Sequence, residues 1–305
     1  MKYQFLENVE LSEADIVILP ISYEDTVSGK AGTKDAPRAI LKASEELEYY
    51  DELLQWSPMK YMKISVIDEI KKSKKESIEK FKQKIAKRVK SIPSKKEKLL
   101  ISLGGEHSIT PFITRKFMKK GATVIFLDAH ADLRESYQGS VYSHATPAYH
   151  LLEQNHKLLM IGIRSIFEDE AIRIKEDKNI TLFSDIDIKK KKRRKEMLKQ
   201  ISSLSGDVYL SIDMDAFNPA SVPGVGTPQA GGLEWYDALD ILKRVFFNKN
   251  IDIKGVDIVE LIPEKSGVSQ IFTAKLLQKI ISFWGKSKAY DLRDKLGSQK
   301  EGSYE

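Results

Sequence analysis

The stretch Thr123-Val124-Ile125-Phe126-Leu127-Asp128-Ala129-His130-Ala131-Asp132 changes character at its midpoint. Its first half is an unbroken apolar and β-branched run, the pattern of a strand buried on both faces of a parallel sheet. Asp128, His130 and Asp132 then recur at every second position, so extended backbone projects all three to one side. A strand that opens into ligating side chains fits an open α/β sheet, which holds its ligands beyond the carboxyl ends of its strands.

Outward from this stretch, similar apolar runs at 16–19, 64–67, 99–103, 158–163, 180–183, 208–212 and 253–258 read as further strands. Helical spacing of apolar residues lies between them at 36–54, 77–89, 110–118, 146–154, 235–246 and 269–284. No linker divides the series, which predicts one α/β domain over residues 1–285, a sheet flanked by helices. Residues 286–305 are charged and poor in large apolar side chains, so they are expected to form a loose or partner-dependent tail.

Composition narrows the functional classes. The 305 residues include no cysteine, which removes disulfides, thiolate nucleophiles and Cys-based zinc sites. No apolar run reaches the roughly 18 residues of a spanning helix, and the opening Met1-Lys2-Tyr3-Gln4-Phe5-Leu6-Glu7 has no signal-peptide core. A cytoplasmic protein that does not enter membranes is expected. The net charge is +6, but residues 189–195 read KKKKRRK, so the rest of the chain carries 6 − 7 = −1. One solvated segment on the first turns of a helix, rather than a nucleic-acid surface, accounts for the basic balance.

Two other strand ends carry comparable chemistry. Leu103-Gly104-Gly105-Glu106-His107-Ser108 follows one, and Ser211-Ile212-Asp213-Met214-Asp215 closes another before a Pro/Gly-rich loop. A lone Asp-x-Asp is most simply a helix cap or a surface acid. Several carboxylates gathered at one sheet edge need a counter-charge, and divalent metal ions turn their repulsion into coordination. Three of the five histidines, His107, His130 and His144, lie in or just after these segments, whereas His150 and His156 read as ordinary helix-surface residues.

These three segments, in this order and at these separations, resemble the motifs of the ureohydrolases, the family of arginase and agmatinase. Residues 29–38 and Val256-Asp257-Ile258-Val259-Glu260 add lesser matches. Glu106 and Ala131 stand where many members have Asp and Thr. The resemblance implies a three-layer α/β/α domain with an eight-stranded, mostly parallel sheet, and usually a homo-oligomer, trimer or hexamer. It also implies two Mn²⁺ per subunit: one held by His107, Asp128, Asp132 and Asp213, the other by His130, Asp128, Asp213 and Asp215, with Asp128 and Asp213 bridging. A ligand set rich in carboxylate suits that hard ion. Two such ions lower the pKa of a shared water toward neutrality, and the cluster's residual negative charge favours a small cationic guanidino substrate.

The same resemblance gives Glu260 the task of gripping the guanidinium and His144 that of shuttling a proton to the leaving amine. The loop from Leu133 to His144 is agmatinase-like, which predicts agmatine as substrate, giving putrescine and urea. Near alternatives are N1-aminopropylagmatine, giving spermidine, and then arginine or a guanidino acid. Within that loop Glu135 suits a distal ammonium and Arg134 a carboxylate, so the two charges point to different substrates. A single-zinc deacetylase or a noncatalytic RNA-binding protein would leave the full set of six ligand positions unexplained.

Overall fold

The computed structural model describes residues 9–93 and 98–292. Among these, nine strands form one sheet: β1 Ile16–Ser22, β2 Ile64–Val66, β3 Ile70–Lys71, β4 Leu99–Gly104, β5 Thr123–Leu127, β6 Lys157–Ile163, β7 Ile180–Ser184, β8 Gly206–Asp213 and β9 Ile251–Val259. Eight run in the order β2-β1-β4-β9-β8-β5-β6-β7, and every pairing is parallel. The ninth, β3, is a two-residue extension that pairs with Ile21 and Ser22, too short to show as an apolar run.

Parallel neighbours require crossovers, which are here mostly helical. The helices are α1 Ala36–Ala43, α2 Ile78–Ser91, α3 Thr110–Phe117, α4 Pro147–Glu153, α5 Glu168–Glu176, α6 Asp185–Lys189, α7 Lys191–Ser203, α8 Trp235–Phe246 and α9 Val268–Ser287. They cover both faces. Ile16 and Ile18 of β1 pack into a core with α1, α7, α8 and α9, whereas Val17, Leu19 and Ile21 pack into another with α2, α3 and α4. Alternate side chains of one strand thus enter two cores, which is why the strands read as continuous apolar runs.

Three expectations change. The helix expected over 36–54 stops at Ala43: the Ser44 hydroxyl donates to Leu41 O at 2.6 Å, and Asp51 turns the chain by accepting from the Leu53 and Leu54 amides. His156 is not a helix-surface residue; it lies between α4 and β6 and is only 2% exposed. The boundary expected at residue 285 falls inside α9, and Tyr290 beyond it is buried with its hydroxyl on Asp15. Residues 293–305 of the expected tail lie outside the described residues. The basic run divides between the end of α6 and the start of α7, with extended Lys190 between them.

The strand order also builds the site. β4, β9, β8 and β5 are adjacent, so the segments after residues 104, 127, 213 and 259 converge on one edge of the sheet.

Candidate metal centre

At that edge His107 Nδ1 lies 3.1 Å from Asp128 Oδ2, 3.1 Å from Asp213 Oδ2 and 3.5 Å from Asp132 Oδ2. His130 Nδ1 lies 2.9 Å from Asp215 Oδ2 and 3.7 Å from Asp128 Oδ1. Five of the six residues expected from the sequence therefore meet in two groups that share Asp128, one carboxylate oxygen toward each, and the sixth, Asp132, stands beside His107 outside both groups. His107 Nδ1 and Asp128 Oδ2 are buried without a hydrogen-bond partner. Burial and the charge of Asp128 push Asp132 well above the usual carboxylate range, and burial with Asp215 does the same to Asp213. Orphaned donors facing one another and mutually repelling acids are what divalent cations resolve, so the residues fit a metal pair.

The surrounding chain aims these donors. His107 Nε2 meets Ser211 Oγ at 2.9 Å, and that hydroxyl donates to buried Asp257 at 2.6 Å, so the ring's other nitrogen is left facing the carboxylates. Backbone amides of His130, Ala129 and Asp215 donate to Asp128, Asp215 and Asp213 respectively. Asp132 and Glu260 adopt left-handed backbone, φ 50° and 62°, conformations costing on the order of 1–3 kcal/mol for residues other than glycine. The Glu260 carboxylate accepts from the His107 amide at 2.6 Å, and burial together with nearby Glu106 raises it to about 8.

A cavity of about 230 Å³ opens over this edge. Asp132, Asp213, Asp215, His130, Glu260 and His144 all line it, so both expected catalytic side chains reach the ligand cluster's cavity. Arg134 lines it too, its guanidinium stacked 4.2 Å from the centre of the Phe167 ring and 5.2 Å from that of Tyr137. Glu135 does not line the cavity; it is exposed and raises the pKa of the neighbouring Tyr149 hydroxyl, itself first raised by burial. The expectation that Glu135 meets a substrate ammonium therefore finds no support in this arrangement.

Other contributors had no sequence signal of their own. Arg164, just past β6, donates to the carbonyls of Asp215, Ala216, Phe217, Gln229 and Ala230 and so straps the loop after β8 to the cavity rim. Gln229 Nε2 stands 3.3 Å from His130 Nε2. Thr26 and Ser28, in the loop after β1, contact both ring nitrogens of His144.

The arginase family profile matches residues 14–282, most of the chain. This chain belongs to the arginase family. As a ureohydrolase of that family it is a metal-dependent amidinohydrolase. It is 37% identical over 295 residues to the N(1)-aminopropylagmatine ureohydrolase of Synechocystis sp., covering 93% of this chain and 94% of that one. The protein of the same name from Thermus thermophilus is 32% identical over 277 residues, covering 90% and 91%. Among solved structures, the agmatine ureohydrolase of Thermoplasma volcanium superposes with a TM-score of 0.79 at 31% identity, over 94% of this ureohydrolase and 95% of that chain. No helix among the described residues is long and apolar enough to cross a membrane.

Proposed function

We propose that this ureohydrolase cleaves the guanidinium of N1-aminopropylagmatine to spermidine and urea, using two Mn²⁺. The observation that carries the reading is the likeness, over nine tenths of the chain, to the Synechocystis and Thermus proteins of that name. This replaces agmatine, the substrate expected from the loop after the second motif, as the first choice. His107, Asp128, Asp132 and Asp213 would hold one ion, and His130, Asp128, Asp213 and Asp215 the other. A bound pair supplies an activated water and Lewis-acid stabilisation of charge.

The remaining work falls to the chain's own groups. Glu260 is raised by burial in the absence of a cation; a guanidinium against it favours the ionised form and is held in a planar fork. His144, which burial holds below the usual histidine range, stands ready as a neutral base at the cavity wall and can return its proton to the departing amine. The rest of the wall carries Thr26, Ser28, Thr227 and Gln229, whose oxygens can accept hydrogen bonds from an amine tail, together with the charged Lys30, Arg134 and Glu170.

A second reading rests on Arg134. Its guanidinium in the cavity lining suits the carboxylate of a guanidino acid. The deciding measurement is urea release by the Mn²⁺-loaded protein from aminopropylagmatine, agmatine, arginine and 4-guanidinobutyrate. We expect kcat/KM for aminopropylagmatine to exceed that for agmatine by about tenfold, roughly 1.4 kcal/mol of added tail contacts. A preference for agmatine restores the shorter substrate. A preference for guanidinobutyrate that disappears in Arg134→Ala establishes the guanidino-acid reading instead.

A further inference from the structure

The loop after β1 encloses His144 more completely than its place at a cavity wall requires. His144 Nδ1 lies 2.9 Å from Thr26 Oγ1 and 3.1 Å from Thr26 O, and the His144 amide donates to the same Thr26 hydroxyl at 3.1 Å. The single proton of that hydroxyl is committed elsewhere: it goes to Glu106 Oε1 at 2.8 Å. Glu106 is 1% exposed and accepts from four donors, the amides of Asp25 and Thr26 and the hydroxyls of Thr26 and Ser108. With its proton given to Glu106, Thr26 offers Nδ1 only oxygen lone pairs. A bare ring nitrogen there would face two acceptors within 3.1 Å, one of them a backbone carbonyl that can only accept, against a single hydroxyl, Ser143 Oγ, at 3.5 Å, so the neutral ring is best satisfied with its proton on Nδ1. Nε2 keeps the lone pair and sits 2.8 Å from Ser28 Oγ, an exposed hydroxyl that donates to the Tyr137 hydroxyl over a longer 3.3 Å and, unlike Thr26 with its carboxylate, can rotate to donate to the ring instead.

We propose that Thr26, anchored by Glu106, is a positioning residue that fixes the tautomer of His144, leaving Nε2 as the nitrogen that takes up and releases the mobile proton beside Ser28. The assignment deepens the reading of His144 as proton shuttle and rests on it. It gives a purpose to the longer acid at position 106. Its carboxylate reaches the loop after β1 instead of the adjacent metal-ligand set, and a loop from the first strand is thereby tied to a histidine more than a hundred residues later. The loop is further fixed at Gly29, where a Cβ would collide with Gly226 O, and at Glu24, which accepts from the Gly32 amide and the Thr33 hydroxyl.

Two measurements test this. With ¹⁵N-labelled histidine in the Mg²⁺-loaded protein, the five rings are few enough to resolve, and His144 is assigned by its disappearance in His144→Asn. The wild type and Thr26→Ser are expected to show a single tautomer protonated on Nδ1, whereas Thr26→Val shows a mixture. A wild-type ring protonated on Nε2, or a Thr26→Val ring unchanged from wild type, overturns the proposal.

Urea-release kinetics supply the second test. Thr26→Val should lower kcat about tenfold with KM within about twofold, Thr26→Ser should recover to within about threefold, and neither should change metal content. On the His144→Asn background Thr26→Val should cost less than about twofold more, because the residue it positions is gone. An equal loss on both backgrounds assigns Thr26 a merely structural role and overturns the proposal. Should no guanidine yield urea, the functional reading fails, and the tautomer measurement still decides the clamp.

Discussion

Asp128 turns one carboxylate oxygen toward each histidine of the cluster, and no other side chain there shows that division so directly. Asp128→Asn is therefore expected to lower bound metal below one ion per chain by elemental analysis and to cut kcat/KM by at least about 10³, since the site acts as a unit. Asp215→Asn touches the His130 group alone and should retain one ion per chain. Wild type holding a single zinc with no response to manganese would refute both outcomes. Asp128, His130, Asp132, Asp213 and Asp215 were legible as a cluster because period-two spacing at strand ends is written locally, whereas His107 was marked by its glycine pair and by the family resemblance. Thr26, Ser28 and Arg164 were not: they act on groups between about fifty and more than a hundred residues away, through backbone carbonyls and ring nitrogens that leave no pattern. His156 misled because a polar residue after a helix reads as solvated, whereas the folded chain buries it.

At the scale of elements, the turn that ends α1 early is held by a buried charge. Lys279 of α9 is 0% exposed, and its ammonium meets Asp51 Oδ1 at 2.9 Å and Glu52 Oε1 at 2.8 Å. Helical spacing alone extended α1 through this region, because nothing local announces that Asp51 serves a lysine 228 residues later. Lys279→Met should cost about 3–5 kcal/mol in urea unfolding by leaving Asp51 buried and unpaired, and adding Asp51→Asn should recover part of it. A cost below about 1 kcal/mol would refute this account. Glu52 is penalised by burial but more strongly favoured by Lys279 and Lys275, which lowers it to about 2. A depressed pKa contributes stability above the unfolded value near ~4.3 and loses it as pH falls toward 2. Glu52→Gln should therefore destabilise at pH 6 and make a smaller difference at pH 3; an undiminished gap would rule out the linkage.

Across the whole molecule, the charge concentrated at residues 189–195 turns out to be partly spoken for. Arg194 bridges Asp237 and Asp240 of α8 at 2.6 Å each, Lys189 also meets Asp237, and Arg193 pairs with Asp187 and Glu196. These acids offset the cost of positive charge at the amino end of α7. Lys190, Lys191 and Lys192 are exposed, so replacing them with Ser should leave kcat/KM within about twofold and stability within about 0.5 kcal/mol. Salt-sensitive RNA binding that vanished with them would instead reveal a nucleic-acid surface. The sheet itself was the most readable part of the chain, since strands buried on both faces cannot disguise themselves with polar residues.

That sheet has an order of assembly written into it. β9, the last strand in chain order among the described residues, lies between β4 and β8 at the middle of the sheet. Until it arrives, the nascent chain holds two half-sheets, β2-β1-β4 and β8-β5-β6-β7, each with a raw apolar edge and no partner for it. A chain cut between residues 213 and 251 holds two halves without the strand that joins them, and the sheet closes only once β9 has been made. The closing of the sheet, and with it the meeting of the site's segments, thus waits on the position of one strand.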